Sequence, residues 1–340
     1  MKAAWFAVAT FCSQLAFAQA TAEKTSIELL LAKEQYSKTI DAVQQQSDYA
    51  SNADWQELHI QALMGLQKND EADEFMVKAL QQFPQRAELY HLAAMNKFAL
   101  AQQVSIFSAP GYAKEGLAQL KQAVQLTPEQ GRFQLTLLGF YLQAPGIVGG
   151  DEKLARQIAA DLQQAAAAQK ADPVDAAIAQ SMVLQTDEKT ASALQLIDAQ
   201  LQQTPANVRL LVQKANLLRS DKQDAAALPL YQQAVKLAEK PAAQHQYLYQ
   251  IGRIVALTGQ DTQVGKAALQ QVIAFYQQSE GQSLHWARLK LAQIHLAEQD
   301  ISSAQQLLQP LLALESPSEK LAAEVSALHK QLKKTKQKTS

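Results

Sequence analysis

The sequence predicts an all-α protein, a superhelical α-solenoid of about eight helical hairpins ended by a C-terminal capping helix. Three observations lead there. Ala, Leu and Gln dominate a 340-residue chain that is 48% hydrophobic, 19% charged and only 6% aromatic. Helices tolerate that composition well, and the length suffices for a large core. Apolar residues recur at spacings of three and four, which places them on one face of a helix. A small residue, a large apolar one four later, a small one three later and then a proline also recur as a set, the mark of a repeated unit.

The first twenty residues, MKAAWFAVATFCSQLAFAQA, stand apart. Lys2 gives a basic start, Ala3 to Cys12 is largely apolar, and Ala16, Ala18 and Ala20 supply small residues for a signal peptidase. Residues 1–20 are expected to be a signal peptide, cleaved after Ala18 or Ala20. Lipid attachment at Cys12 is disfavoured by the bulky Phe11 before it. Removal of this segment takes away the one cysteine, and with it disulfide, thiolate and cysteine–metal chemistry. No later run is long and apolar enough for a stable membrane span. A periplasmic or secreted location, of Gram-negative type, is the expectation.

The body, residues 21–317, reads as stacked hairpins. The first, Ile27 to Gln46, is degenerate. Ala72, Met76, Ala79 and Pro84 then set the pattern, and Gly116, Leu120, Ala123 and Pro128 repeat it at identical spacing. Ala193, Ile197, Gln200 and Pro205 continue it, followed by Ala227, Tyr231, Ala234 and Pro241, and by Ala304, Leu308, Leu311 and Pro317. Small residues let a neighbouring helix approach, and proline ends one helix or opens the next. Each of these helices follows another amphipathic one, such as Leu137 to Leu142 or Tyr247 to Gly259.

This unit resembles the tetratricopeptide repeat (TPR). The residues that carry the resemblance are the Leu138-Gly139 and Ile251-Gly252 pairs in first helices and the small-large-small-proline series in second helices. The resemblance covers most of residues 24–317, although the aromatic that usually starts the first helix is largely missing. It implies a right-handed superhelix whose first helices line a concave groove that holds a protein or peptide. Residues 318–340 are expected to form the capping helix and a basic tail, with Glu319 and Glu324 early and lysines late, as the helix dipole favours.

Two consecutive hairpins depart from the pattern between their helices, at about 101–116 and 143–151. Both stretches contain Ala-Pro-Gly, at Ala109 to Gly111 and Ala144 to Gly146, which suits a type II turn. Equivalent turns line up along one edge of a solenoid, so the two loops are expected to be neighbours. Tyr112, Pro145, Gly146, Ile147, Val148, Gly149, Gly150 and Asp151 form a candidate loop site for a small solute. The alternative is a rigid turn with its apolar tip tucked into the edge and Asp151 capping the next helix.

Chemistry is sparse. The six histidines form no HExxH pair or tight cluster, no GxSxG elbow occurs, and the Gly149-Gly150 stretch lacks the Lys-Ser/Thr of a phosphate-binding loop. No catalytic residue, metal or cofactor is expected. A formal net charge of −1 offers no general attraction to nucleic acid.

Carrying the TPR register across, the groove should present Arg209, Asn216 and Arg219, then Gln246, Tyr249 and Arg253, then Trp286 and Gln293. Guanidinium groups bind carboxylates in two-point fashion, and Tyr and Trp anchor apolar side chains. The expected function is a non-catalytic scaffold for a protein or peptide partner in the cell envelope. A small-solute binding protein that uses the paired loops is the alternative.

Overall fold

The computed structural model describes residues 21–315 and 317–339. Residues 1–20, with the expected signal peptide and both cleavage positions, lie outside the described residues. Helices account for almost everything else, and no strand occurs among the described residues.

The helices pair into eight hairpins and a cap. They are α1 (21–32) with α2 (Tyr36–Gln44), α3 (Ala53–Gly65) with α4 (Asn69–Gln82), and α5 (Ala87–Gln103) with α6 (Ala109–Leu126). There follow α7 (Gly131–Gln143) with α8 (Glu152–Ala167), α9 (Pro173–Thr186) with α10 (Thr190–Gln203), and α11 (Val208–Ser220) with α12 (Asp224–Leu237). Last come α13 (Pro241–Thr258) with α14 (Thr262–Phe275), α15 (Ser283–Ala297) with α16 (Ile301–Leu312), and the cap α17 (Glu319–Thr339).

The repeated small and large residues are the core. Ala72, Met76, Ala79, Leu120, Ala123, Ala193, Ile197, Ala227, Tyr231, Ala234, Ala304, Leu308 and Leu311 are all 3% exposed or less. Two further second helices carry equivalent sets: Ala155, Ala159 and Leu162 in α8, with Pro173 opening the next helix, and Gly265, Leu269 and Val272 in α14, where no proline opens the next. First helices also touch one another between hairpins, at α3–α5, α7–α9, α9–α11 and α13–α15.

Five hairpins turn in the same way. Glu34, Gln67, Glu188, Lys222 and Gln299 each take a left-handed conformation, with φ between 56° and 62°, directly after the first helix. The next N–H then reaches back to the carbonyl five residues earlier, as Lys68 does to Leu63 at 3.0 Å and Gln223 to Leu218 at 2.8 Å. One residue outside the helical region thus reverses the chain.

The seventh hairpin turns through Gly259 and Asp261 instead, and the third and fourth also break this rule, though not with the turns expected. In the third, the extra length goes mainly into helix: α5 and α6 have 17 and 18 residues, and only 104–108 connects them. Pro110 sits in the first turn of α6, where its missing N–H costs nothing, so Ala109 to Gly111 starts a helix and makes no type II turn. In the fourth, Pro145 is extended and Gly146–Val148 is a 3-10 turn; the left-handed residue is Gly149, at φ 104°.

The cap is longer than expected. Its helix continues to Thr339, so the lysine-rich stretch after His329 is a helical end. Leu321, Val325, Leu328 and Leu332 seal the apolar face of the eighth hairpin.

Candidate functional site

The fourth hairpin's loop is occupied with its own fold. Val148 is buried, and an added side-chain carbon at Gly149 would lie 2.6 Å from Leu117 of α6. At Gly150 the same carbon would meet the Ala144 carbonyl oxygen at 1.7 Å, so only glycine fits. Asp151 caps α8 by accepting from the N–H groups of Lys153 and Leu154 at 2.9 and 3.3 Å. The turn therefore packs on the flank of α6. Tyr112 lies in α6, with the Lys97 ammonium 5.4 Å from its ring centre. Ile147 is left exposed at the tip.

The expected groove residues divide into two groups. Arg209 reaches back one hairpin to the nearly buried Asp175, with Asp172 3.6 Å away. Asn216 accepts a 2.6 Å hydrogen bond from Tyr231 within its own hairpin. Both therefore have partners within the fold. Gln246 is exposed on α13. A periodic signal accompanies Arg209: Arg86 pairs with Glu57, Arg132 with Glu88, and Arg209 with Asp175, each an arginine at the start of a first helix and an acid near the start of the preceding one.

Tyr249, Arg253, Trp286, Gln293 and Arg219 are brought together. Tyr249, Arg253 and Trp286 line a cleft of about 280 Å³ with Tyr276, Ser283, Lys290, Lys320 and Glu324. Arg253, Lys290 and Glu324 are shared with a broader trough of about 780 Å³ that runs past Arg219 and Gln293 toward Gln331 and Lys334. The walls are first helices α11, α13 and α15 on one side and the cap α17 on the other. The cap's part in the wall was not expected. Register arithmetic on the repeats could not place a helix that lies outside them.

The electrostatics are lopsided. The cleft holds Arg253, Lys290 and Lys320 against the single carboxylate of Glu324, which pairs with Lys290 at 2.6 Å. Arg219 is satisfied by Asp224 at 3.0 Å and by Gln250 at 2.9 Å. Arg253 is exposed and makes no hydrogen bond or ion pair among the described residues. Burial pushes the Tyr249 hydroxyl above its ordinary range, with nearby Arg253 opposing it, so the phenol stays protonated as a donor. Lys290 lies 5.8 Å from the centre of the Trp286 ring. A guanidinium with no hydrogen-bond or ion-pair partner among the described residues, in a cleft that also holds two aromatic side chains, is suited to hold a carboxylate beside an apolar group.

His295 Nδ1 and Asp300 Oδ2, 3.0 Å apart, tie the end of α15 to the turn that follows it. No group of three or more metal-ligating side chains occurs among the described residues. No helix among them is long and apolar enough to cross a membrane.

Fold and groove together define a helical-repeat solenoid of TPR type. The chain superposes on yeast Tom70 with a TM-score of 0.58 at 16% identity, covering 90% of this chain and 60% of that one. It thus spans about three fifths of Tom70's length. Lower similarity is found to a tetratricopeptide repeat protein from Parabacteroides merdae, with a TM-score of 0.44 at 10% identity, covering 78% of this chain and 98% of that one. PilW, a type IV pilus biogenesis factor, gives 0.39 at 14% identity, covering 68% of this chain and 96% of that one. No family model matches the sequence, and no curated protein matches it. The TPR-like fold expected from the spacing is the fold observed.

Proposed function

We propose that the protein is a non-catalytic scaffold of the cell envelope that binds a peptide segment of a partner protein in its inner groove. The expected signal peptide supports export to a periplasmic or secreted location. The observation that carries the binding reading is Arg253, a cation without a hydrogen-bond or ion-pair partner among the described residues, in one cleft with Tyr249, Trp286 and Lys290. Its chemistry selects a segment with a carboxylate, terminal or side-chain, next to an apolar residue. The loop-site alternative has no comparable support, because Val148, Gly149, Gly150 and Asp151 have structural tasks.

A photo-crosslinking residue at Tyr249, used in intact envelopes, tests this directly. One discrete protein should be captured, and Arg253→Glu should remove the capture while far-UV circular dichroism stays unchanged. Loss of a charge-assisted hydrogen bond corresponds to about 1.5–3 kcal/mol, or roughly ten- to a hundredfold weaker binding. Equal capture by the Arg253→Glu protein would rule out this groove as the binding site.

A further inference from the structure

The first hairpin meets the far end of the solenoid. Glu34, in the α1–α2 turn, accepts hydrogen bonds from the hydroxyls of Ser279 and Ser283, both 2.5 Å away, while its carbonyl accepts from the N–H of Glu280 at 2.9 Å. Glu280 answers in kind: its carboxylate accepts from the N–H of Ser37 at 2.7 Å and from the Ser37 hydroxyl at 2.5 Å. Lys38 adds a 3.0 Å bond to Gln278. The partners are about 240 residues apart in sequence. Two reciprocal carboxylate caps therefore join the turn of the first hairpin to the α14–α15 connection.

The seam is built mainly of hydrogen bonds to carboxylates, whereas contacts between neighbouring hairpins are built mainly on apolar packing. Neighbouring hairpins share buried apolar clusters, such as the one that runs from Ala215 to Ile294. None of the core clusters contains residues from both sides of the seam; among the described residues, ring contacts there are limited to the partly buried Tyr36, which lies near Tyr276, and to Lys33 over the Phe275 ring at 5.7 Å. Apolar burial makes an interface permanent, whereas hydrogen bonds exchanged with water are cheap to break. Two seam residues, Tyr276 and Ser283, also line the groove cleft.

We propose that the seam is a reversible latch: closed, it joins the two ends of the solenoid and bounds the inner groove on all sides; open, it separates them along one edge. Tyr276 and Ser283 make the latch and the cleft respond to one another. Its use as a gate for a partner segment rests on the peptide-groove reading, but the latch itself does not.

The test needs no ligand. Spin labels at Asp41→Cys on α2 and Gln271→Cys on α14, in the full chain with Cys12→Ser, report the end-to-end distance by pulsed electron resonance. The expected result is one dominant, narrow short distance, joined by a broad longer population when Glu34→Ala and Glu280→Ala are added. Ser37→Ala with Ser283→Ala, which removes donors and leaves both carboxylates, should shift the distribution the same way; it also serves if the first pair fails to fold. A distribution that is broad and long before any latch residue is changed, or one unaltered by folded latch variants, would overturn the proposal. Failure of envelope capture with these distance results intact would refute the peptide reading alone.

Discussion

Gly139 and Gly252 occupy the same place in the repeat motif, yet their surroundings differ. A side-chain carbon at Gly252 would lie 2.2 Å from Cγ of Leu269, which is fully buried and has nowhere to turn. At Gly139 the nearest atom is the flexible end of Met182, at 3.4 Å. Gly252→Ala should therefore destabilise the protein by about 1–3 kcal/mol through overpacking. Gly139→Ala should be neutral or gain up to about 1 kcal/mol from helix propensity. Urea unfolding midpoints of the two variants check this; a shift in the same direction for both would contradict the packing account. The pair also marks the limit of legibility at this scale. Spacing shows that a small residue belongs there, but not how near the opposing side chain comes. Arg209 and Asn216 teach the same lesson. Their helix face was readable, while the partners that consume them, Asp175 34 residues earlier and Tyr231 15 later, were not.

At the scale of elements, the eight hairpins and the cap were legible, because small-large-small spacing is a direct record of which helix faces touch. The turns were less so. Pro-Gly is compatible both with a type II turn and with the first turn of a helix, and the choice at Pro110 falls to the surrounding helix propensity. In the fourth hairpin the chain must instead cross from α7 to α8 in eight residues, and it does so by seating Val148 and pressing Gly150 against the Ala144 carbonyl. Backbone cannot yield as a side-chain tip can. Gly150→Ala should cost more than about 2 kcal/mol, whereas Ile147→Ser, at an exposed tip, should stay within about 0.5 kcal/mol. Thermal or urea unfolding distinguishes them. If Ile147→Ser proved the more damaging change, the tip would have a packed role that its exposure denies.

Across the whole molecule, stability is the sum of hairpins and the interfaces between neighbours, so a pH effect distributed along the stack acts on all of it. The seam between the ends was not readable, since Glu and Ser in turns carry no periodic signal. The histidines, by contrast, are spread along the chain: His59, His91, His245 and His285 belong to the second, third, seventh and eighth hairpins. Desolvation is the largest influence on each and holds each below the ordinary 6.5. In the unfolded chain these imidazoles regain that ordinary value. As pH falls through 6.5, the unfolded state takes up protons first, so stability that is complete above 6.5 is lost progressively until the folded-state values are reached. Asp54, held low chiefly by its hydrogen bond to Lys24, with Arg86 also contributing, loses its contribution only in the more acidic carboxylate range. The urea midpoint should therefore fall between pH 7.5 and 5.5. His91→Phe, whose ring can keep the contact with Phe133 at a site where Nδ1 has no hydrogen-bond partner, should flatten part of that slope. A midpoint that stays level or rises over this range would mean that the imidazoles are as easily protonated in the fold as in water, contrary to their burial.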